Sequence, residues 1–269
     1  MIGVAGCGRM GAPMLAALRR AGFDAKGYDI RPPVEFGALR TDMTDNAADF
    51  AAELDTLITV VRDIAQTDDV LFGAQNFSTA PKLHRVLICS TLSPRYVRGL
   101  PARLPEHITL IDAPMSGAQI AAEEARLSFM LGGSTEDLDA AQPLFDAMGT
   151  HFHRMGSFGT GMQAKVLNNL LAAGNTAMTR LVLDWADAAG LDETRLLALV
   201  ETSSGQNWFA SGFDRIEFAR DGFSRDNTIG ILSKDIESAL DAAPDGADTT
   251  LPRQVQQAIR FLAPRPPRR

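Results

Sequence analysis

The feature that most constrains this chain is a glycine pattern close to its N-terminus. Residues 6–11 read Gly-Cys-Gly-Arg-Met-Gly, directly after the short apolar segment 2–5. An amphipathic stretch follows, with Pro13 in the first helical turn, where proline is tolerated. In a GxGxxG loop the first glycine permits a tight turn, the second lets backbone approach a pyrophosphate, and the third lets helix pack on strand. The pattern predicts a phosphate-binding loop between a strand and a helix.

An acidic residue ends the next apolar segment. Asp29 follows the loop at close to the ~20-residue offset at which a carboxylate binds the hydroxyls of an adenine ribose. A carboxylate repels a 2′-phosphate, so NAD is favoured; Arg31 offers a phosphate partner and keeps NADP as the alternative. The cofactor-binding residues predicted from this region are Gly6, Cys7, Gly8, Arg9, Met10, Gly11, Asp29 and Arg31.

The first half of the chain alternates apolar and amphipathic segments. Strands are predicted at 2–5, 25–29, 56–61, 85–89, 108–112 and 127–131, with helices between them such as 12–21. This alternation predicts an α/β domain over 1–157, with a Rossmann-type doubly wound parallel sheet that binds NAD(P).

The second half has a different pattern, after a glycine-rich stretch at 155–161 that is interpreted as a hinge. An all-α domain for substrate binding and dimerisation is predicted over 158–269. Its helices are predicted at 162–189, 193–202, 208–220, 227–241 and 252–262. The final Pro-Arg-Pro-Pro-Arg-Arg is expected to be a solvated tail.

Composition excludes several function classes. The chain of 269 residues carries 26 Lys and Arg against 33 Asp and Glu, a net charge of −7, which argues against nucleic acid as a partner. Two cysteines, Cys7 and Cys89, are too few for a disulfide framework and predict a reducing cytoplasm. No apolar run approaches the ~18–20 residues of a transmembrane helix, so no membrane association is expected. His151 and His153 lack further ligands, so no metal is predicted.

Five segments in order resemble the β-hydroxyacid dehydrogenase family, the group of 3-hydroxyisobutyrate dehydrogenase. They are GCGRMGAPM at 6–14, STLSP at 90–94, DAPMSG at 112–117, GTGMQAKVLNN at 159–169 and KDI at 234–236. The resemblance implies a helical domain like that of 6-phosphogluconate dehydrogenase and self-association through the long helix, as a homodimer or homotetramer.

The resemblance also implies roles for single residues. Lys165 matches the family's catalytic lysine, and Asn169, with Asn168 beside it, matches the amide that supports substrate and lysine. Ser116 and Gly117 match the positions that bind the substrate carboxylate. Further positions matching cofactor contacts are Val60, Val61, Thr91 and Lys234.

The same residues suit the chemistry of alcohol oxidation. A proton must leave oxygen while hydride leaves carbon, and a partly buried lysine serves as general base, or as general acid in reduction. The spacing i, i+3, i+4 brings Lys165, Asn168 and Asn169 to one helix face. Adjacent helix residues point about 100° apart, so only one of the two asparagines is expected to face the substrate. A serine hydroxyl with neighbouring backbone amides holds a carboxylate.

Four departures from the family pattern put its usual substrate in doubt. Ala118 and the pair Ala121-Ala122 stand where glycine or Gly-Ala is usual, and their methyl groups narrow the substrate loop. Leu181, next to Arg180, replaces an acidic residue. Arg62 replaces a proline after the third strand. The C-terminal end lacks the family's last Gly/Asp-rich segment and helix.

The first hypothesis is therefore a cytoplasmic NAD-dependent oxidoreductase of a short 3-hydroxy acid, similar to 3-hydroxyisobutyrate, with Lys165 as general acid/base. One alternative is an NADPH-dependent reductase of a small aldehyde or semialdehyde, supported by Arg31. The other is a dinucleotide-binding interaction protein without catalysis, which the altered glycines allow. An imine substrate is disfavoured because Lys165 is retained.

Overall fold

The computed structural model describes residues 1–266, which cluster into two compact units: Met1–Lys165, and the chain from Val166 onward. Strands belong to the first unit. Within it they are β1 Ile2–Ala5, β2 Ala25–Tyr28, β3 Met43–Thr44, β4 Thr56–Thr59, β5 Arg85–Ile88, β6 Thr109–Asp112, β7 Met115–Ser116, β8 Leu127–Gly132 and β9 Gly149–Gly156.

These strands form one sheet with the order β3-β2-β1-β4-β5-β6-β8-β7, and β9 pairs with β8. From β3 to β6 every neighbouring pair is parallel, which confirms the predicted α/β class. Beyond β6 the sheet becomes mixed, because β8 runs antiparallel to β6 and β7. The six predicted strands are present, most of them one or two residues shorter at an end.

The central strands are buried on both faces, which explains their nearly continuous apolar sequence. Successive residues of a strand point to opposite faces. Accordingly Val4 and Ile58 belong to one buried cluster, whereas Ala5 and Leu57 belong to another. The carboxyl ends of these strands are thus held rigidly by two cores, and the predicted phosphate loop follows the first of them.

Helices and short 3-10 segments connect the strands of this unit. The helices are α1 Gly11–Arg20, α2 Ala47–Ala52, α3 Ile64–Leu71, α4 Pro94–Gly99, α5 Ala118–Glu123 and α6 Thr135–Met148. The 3-10 segments are Pro33–Asp42, Phe77–Thr79 and Leu100–Ala102. Polar side chains cap the N-termini of several of these helices. Ser134, for example, accepts a hydrogen bond from the backbone N–H of Asp137 at the start of α6.

Strand β9 was not expected from the sequence. It contains His151, His153 and Arg154, and most of its residues are exposed, so it lacks the apolar run that marks a buried strand. It pairs in parallel with β8, and its partly buried Phe152 packs beside Phe129 of the core. The stretch 155–161, predicted as a hinge, therefore contains the end of β9 and the first residues of the next helix.

The long helix α7, Thr160–Ala188, begins in the first unit and continues into the second. The second unit also contains α8 Glu193–Glu201, α9 Trp208–Gly212, α10 Thr228–Asp241 and α11 Thr250–Arg260. The prediction of one helix over 208–220 was wrong, because α9 ends at Gly212 and buried Phe213 turns into a core cluster. None of the helices described for residues 1–266 is long and apolar enough to cross a membrane.

The prediction of a solvated tail agrees with the exposure of Pro264 and Pro266 but is wrong for Arg265. Arg265 is buried, and its guanidinium pairs with Asp184 at 2.6 Å, Asp187 at 2.7 Å and Glu193 at 2.8 Å. Two carboxylates of α7 and one of α8 attract a cation that composition alone assigned to solvent. Residues 267–269 lie outside the described part of the chain.

Candidate active site

The loop after β1 has the geometry that a pyrophosphate requires. Gly6 has φ +91°, and a Cβ there would lie 2.7 Å from the carbonyl oxygen of Val60. A Cβ on Gly11 would collide with the carbonyl oxygen of Gly6, so helix α1 packs closely on the strand. Around Gly8, in contrast, there is open space where a Cβ would stand. The loop therefore fits a dinucleotide, which would be held by backbone N–H groups at the start of α1.

Cys7 contributes packing and backbone to this loop rather than a reactive thiol. Its side chain is buried, and its Sγ lies 3.4 Å from the carbonyl oxygen of Val4. Burial, reinforced by the Asp29 carboxylate, raises the pKa of the Cys7 thiol to about 12. Arg9 is exposed and Met10 is partly buried at the N-terminus of α1.

Asp29 and Arg31 form a pair directly after β2. The Asp29 carboxylate accepts a hydrogen bond from the backbone N–H of Cys7 at 2.9 Å. It also accepts hydrogen bonds from Nε and Nη2 of Arg31 at 3.0 and 3.1 Å. Partial burial raises the pKa of Asp29, but the hydrogen bonds and charge of Arg31 outweigh it and hold that pKa below its ordinary value. The carboxylate predicted to bind the ribose of NAD and the arginine predicted to bind the phosphate of NADP are thus hydrogen-bonded to each other.

The other predicted cofactor residues of this unit follow neighbouring strands. Val60 and Val61 come directly after β4, where the N–H of Val61 donates to the Ser90 hydroxyl at 2.9 Å. Thr91 follows β5, beside that serine, and is partly buried. Because parallel strands end at the same edge of a sheet, the structure brings these three residues to the edge that carries the glycine loop.

Lys165 and Ser116 meet in the first unit. Lys165 is 7% exposed, and its Nζ donates a hydrogen bond to Ser116 Oγ at 3.1 Å. Ser116 belongs to β7, and Gly117 follows it with φ +135°. Ala121 lies against Gly117, since a Cβ on that glycine would stand 2.5 Å from the Ala121 methyl. The predicted catalytic lysine and substrate loop are therefore neighbours.

Asp112 anchors the helix that carries Lys165. The Asp112 side chain at the end of β6 is fully buried and accepts the backbone N–H groups of Gly159 at 2.6 Å and Met162 at 2.5 Å. Burial raises its pKa above the ordinary value, although these two N–H groups pull it in the opposite direction. The carboxylate satisfies donors at the start of α7 that no helical carbonyl can reach.

Asn169, Asp235 and Lys234 are linked in the second unit. Asn169 is buried and donates through Nδ2 to Asp235 Oδ2 at 2.6 Å. Lys234 lies 3.4 Å from the other oxygen of Asp235. Asn168 is exposed whereas Asn169 is buried, so the two adjacent asparagines point in different directions. Asn168 Nδ2 lies 3.4 Å from Asn169 Oδ1.

Two members of these contacts were not assigned from the sequence. Asp112 opens the DAPMSG segment, and Asp235 stands beside Lys234 in the KDI segment. Asp112 directly follows the apolar segment 108–111, which indicates a buried partner without identifying it, whereas Asp235 stands between Lys234 and Ile236 and gives no such signal. Among residues 1–266, no cluster of His, Cys, Asp and Glu could hold a metal ion.

The doubly wound sheet, its glycine loop and the acid after β2 define the class of the chain, an NAD(P)-binding protein. Comparison with family models agrees. Residues 1–157 match the NAD binding domain of 6-phosphogluconate dehydrogenase, and residues 159–265 match the NAD-binding domain of NADP-dependent 3-hydroxyisobutyrate dehydrogenase.

Individual proteins are similar over almost the whole chain. Mitochondrial 3-hydroxyisobutyrate dehydrogenase of Bos taurus is 31% identical over 97% of this chain and 81% of its own length. NAD-dependent L-serine dehydrogenase of Pseudomonas aeruginosa is 32% identical over 91% of this chain and 86% of its own length. The structure of Mycobacterium tuberculosis 3-hydroxyisobutyrate dehydrogenase with L-serine matches with a TM-score of 0.80 and a sequence identity of 25%. The match covers 97% of this chain and 95% of that one. The chain belongs to the β-hydroxyacid dehydrogenase family and is an NAD(P)-dependent hydroxyacid dehydrogenase.

Proposed function

We propose that the protein transfers a hydride between NAD and a short 3-hydroxy acid similar to 3-hydroxyisobutyrate, with Lys165 as general acid/base. The observation that supports this most is the buried Lys165 ammonium, 3.1 Å from the hydroxyl of Ser116 on the substrate loop. Relatives named as dehydrogenases of 3-hydroxyisobutyrate and L-serine indicate the same substrate class.

In the oxidation, Ser116 and the backbone around Gly117 bind the substrate carboxylate. Lys165, in its neutral form, takes the proton of the substrate hydroxyl, and as ammonium it returns the proton in the reduction. The Asn169 amide, held by Asp235, positions the reacting oxygen without adding charge. The bound dinucleotide supplies the hydride acceptor at its nicotinamide ring.

The cofactor is assigned to the glycine loop from Gly6 to Gly11, together with Asp29, Val60, Val61 and Thr91. Lys234 completes the set from the second unit. We keep the functional boundary at 157/158, with a dinucleotide-binding domain before it and a substrate and dimerisation domain after it. This places all of helix α7, including Lys165, with the second domain.

The mechanism is tested by replacing the lysine. Lys165→Ala removes the proton-transfer group, so we expect turnover of short 3-hydroxy acids to fall about 10²–10⁴-fold. Binding of NAD, measured by fluorescence titration, remains close to wild type. Lys82→Ala removes an exposed lysine that pairs with Glu53 and serves as the control. Turnover like that of wild type in Lys165→Ala would overturn the mechanism.

A second candidate is reduction of a small aldehyde with NADPH. Arg31 favours it, because its guanidinium is half exposed and already placed at the ribose-binding carboxylate. Titration with NADH and NADPH separates the two candidates. We expect NADH to bind at least about tenfold more tightly; the opposite preference would favour the reductase. A protein that binds both cofactors and turns over no hydroxy acid or aldehyde would instead be an interaction module.

We propose a homodimer, or a homotetramer built from it, that forms through α7. Exposed apolar residues recur along this helix at alternating intervals of four and three residues, which is the pattern of a coiled-coil seam. They are Leu167, Leu171, Met178, Leu181 and Trp185, with Gly174 completing the spacing. Leu181, which replaces the family's acidic residue, adds to this apolar seam.

We propose the cytoplasm as the location. Cys7 and Cys89 are both free buried thiols, as expected in a reducing compartment. Fractionation of the source cells, with immunodetection of the protein, tests this; recovery in an organelle or membrane fraction would contradict it.

A further inference from the structure

The Asp29 carboxylate is saturated with hydrogen bonds from within the first unit. A carboxylate accepts about four hydrogen bonds, two on each oxygen. Oδ1 of Asp29 accepts the backbone N–H of Arg31 at 3.1 Å and its Nε at 3.0 Å. Oδ2 accepts the backbone N–H of Cys7 at 2.9 Å and Nη2 of Arg31 at 3.1 Å. Each oxygen therefore holds one backbone donor and one donor of the Arg31 guanidinium.

The backbone donors and the guanidinium differ in how firmly they are placed. The N–H of Cys7 belongs to the glycine loop, and the N–H of Arg31 lies three residues after β2, so both are fixed by the sheet. The Arg31 side chain, in contrast, is 46% exposed and is free to turn towards solvent. A ligand therefore gains access to Asp29 only at the two acceptor positions that this side chain holds.

An adenine ribose requires the same two positions. Its 2′- and 3′-hydroxyls are neighbours on one ring, and they bind a carboxylate by donating to its oxygens. Since each oxygen of Asp29 has one position besides its backbone bond, the ribose and the guanidinium exclude each other. Binding of NAD must therefore break two charge-assisted hydrogen bonds between Arg31 and Asp29.

Two further contacts stabilise Arg31 in this position. Its Nη2 also donates to the carbonyl oxygen of Cys7 at 3.1 Å. Its guanidinium carbon lies 4.6 Å from the centre of the Phe36 ring, which is within the range of a cation–π contact. Phe36 in turn packs against a core cluster of the first unit. Displacing the guanidinium from Asp29 therefore costs binding free energy.

A 2′-phosphate can bind without this displacement. Nη1 of Arg31 has no hydrogen-bond partner among residues 1–266, so a phosphate can accept from it while Nε and Nη2 remain on Asp29. The paired guanidinium also compensates the negative charge of Asp29, which alone would repel a phosphate. The same side chain thus opposes NAD and supports NADP.

We propose that Arg31 is an internal competitor of NAD, because its guanidinium holds the Asp29 oxygens that the adenine ribose needs. Arg31 lowers the affinity for NAD, retains affinity for NADP, and so sets the difference between the two cofactors. All of these groups belong to the first unit. The inference rests on the proposed assignment of the cofactor to Asp29 and is independent of the Lys165 chemistry.

The test is the binding of NADH and NADPH, each titrated by its fluorescence into wild type and variants. Arg31→Leu frees both oxygens of Asp29, so we expect NADH to bind about three- to tenfold more tightly. We expect NADPH to bind at least about tenfold more weakly, because its phosphate then meets the carboxylate without the cation. Opposite shifts of two cofactors that differ in one group exclude a general effect on folding.

Three further variants assign these shifts. Arg31→Lys keeps the charge, but an ammonium does not span both carboxylate oxygens as the planar guanidinium does. We expect its NADPH binding to stay close to wild type, and its NADH binding to lie between wild type and Arg31→Leu. Adding Asp29→Asn to Arg31→Leu should remove the gain for NADH. Arg40→Leu, which removes an exposed arginine of the same segment between β2 and β3, should change neither affinity.

An Arg31→Leu variant that binds NADH no more tightly than wild type overturns the proposal, because the guanidinium then does not compete with the ribose. NADPH binding that survives Arg31→Leu unchanged overturns it as well. A wild-type protein that binds neither cofactor contradicts the proposed function together with this inference. If wild type binds both and the opposite shifts are absent, only the competition by Arg31 fails.

Discussion

Ala118 has the least favourable backbone conformation in the substrate loop. Its φ is +55°, where the Cβ of an L-residue crowds the backbone and where glycine is the usual residue. It directly follows Gly117 and begins α5. The loop therefore holds Ala118 in this conformation against a steric cost of about 1 kcal/mol.

Ala118→Gly is expected to relieve this strain. The free energy of unfolding should rise by up to about 1 kcal/mol, the gain being reduced by the greater flexibility of glycine in the unfolded chain. Urea denaturation of both proteins measures the difference. Ala12→Gly, at the second position of α1, is the control and should lower stability. A loss of stability in Ala118→Gly would show that the methyl group makes packing contacts worth more than the strain.

Among the structural elements, α7 contributes most to the site, and Asp112 fixes its start. The strand β6 and the helix are connected by two hydrogen bonds to one buried carboxylate. These bonds hold the first turns of α7, including Lys165, next to β7 and Ser116. The distance between the lysine and the substrate loop thus depends on an aspartate that has no chemical role of its own.

Asp112→Asn tests this dependence. The amide nitrogen of asparagine cannot accept a hydrogen bond, so one backbone N–H is left buried and unsatisfied. We expect a loss of about 1–3 kcal/mol in the free energy of unfolding and a lower kcat with a smaller change in the dissociation constant of NAD. Asp139→Asn, which breaks an exposed pair with Arg154, should change stability by less than about 1 kcal/mol. Equal effects of both variants would remove Asp112 from this role.

Elements with strong local patterns were predictable from the sequence. The strands of the parallel sheet and α7 were recognised because long apolar or helical runs outweigh local exceptions. Strand β9 was missed because most of its side chains are exposed and several are polar, so its pairing with β8 leaves no apolar run in the sequence. In the candidate site, the family resemblance assigned roles to Lys165 and Ser116, and the structure adds the hydrogen bond between them. The partners Asp112 and Asp235 were not predicted, because contacts between distant residues have no signal in a single segment.

At the scale of the whole molecule, the seam of α7 exposes a row of large apolar side chains in a single copy. Its residues Leu171, Met178 and Trp185 are 71%, 61% and 68% exposed. Their spacing aligns them on one side of the helix, as in a helix that packs against a second helix. A row of large apolar side chains of this kind is typical of an interface between subunits.

Met178→Glu is expected to separate the proposed dimer. Two glutamates buried opposite each other would repel and lose solvation, so the variant should elute as a monomer of 28.9 kDa in size-exclusion chromatography with light scattering. Leu251→Glu replaces a leucine with a similar exposure of 67% outside the seam and should leave the dimer intact. A wild-type protein that is monomeric at micromolar concentration would contradict the proposal.

Strand β9 lies at a border of the sheet, where it pairs with β8. A strand at the border of a sheet offers unpaired N–H and C=O groups on which another chain can extend the sheet, a common start of aggregation. In β9 that border carries His151, His153 and Arg154, which are polar or charged and exposed. The irregular steps in its pairing with β8 also disturb a straight template. The strand that sequence patterns overlook is therefore a poor template on which another chain could extend the sheet.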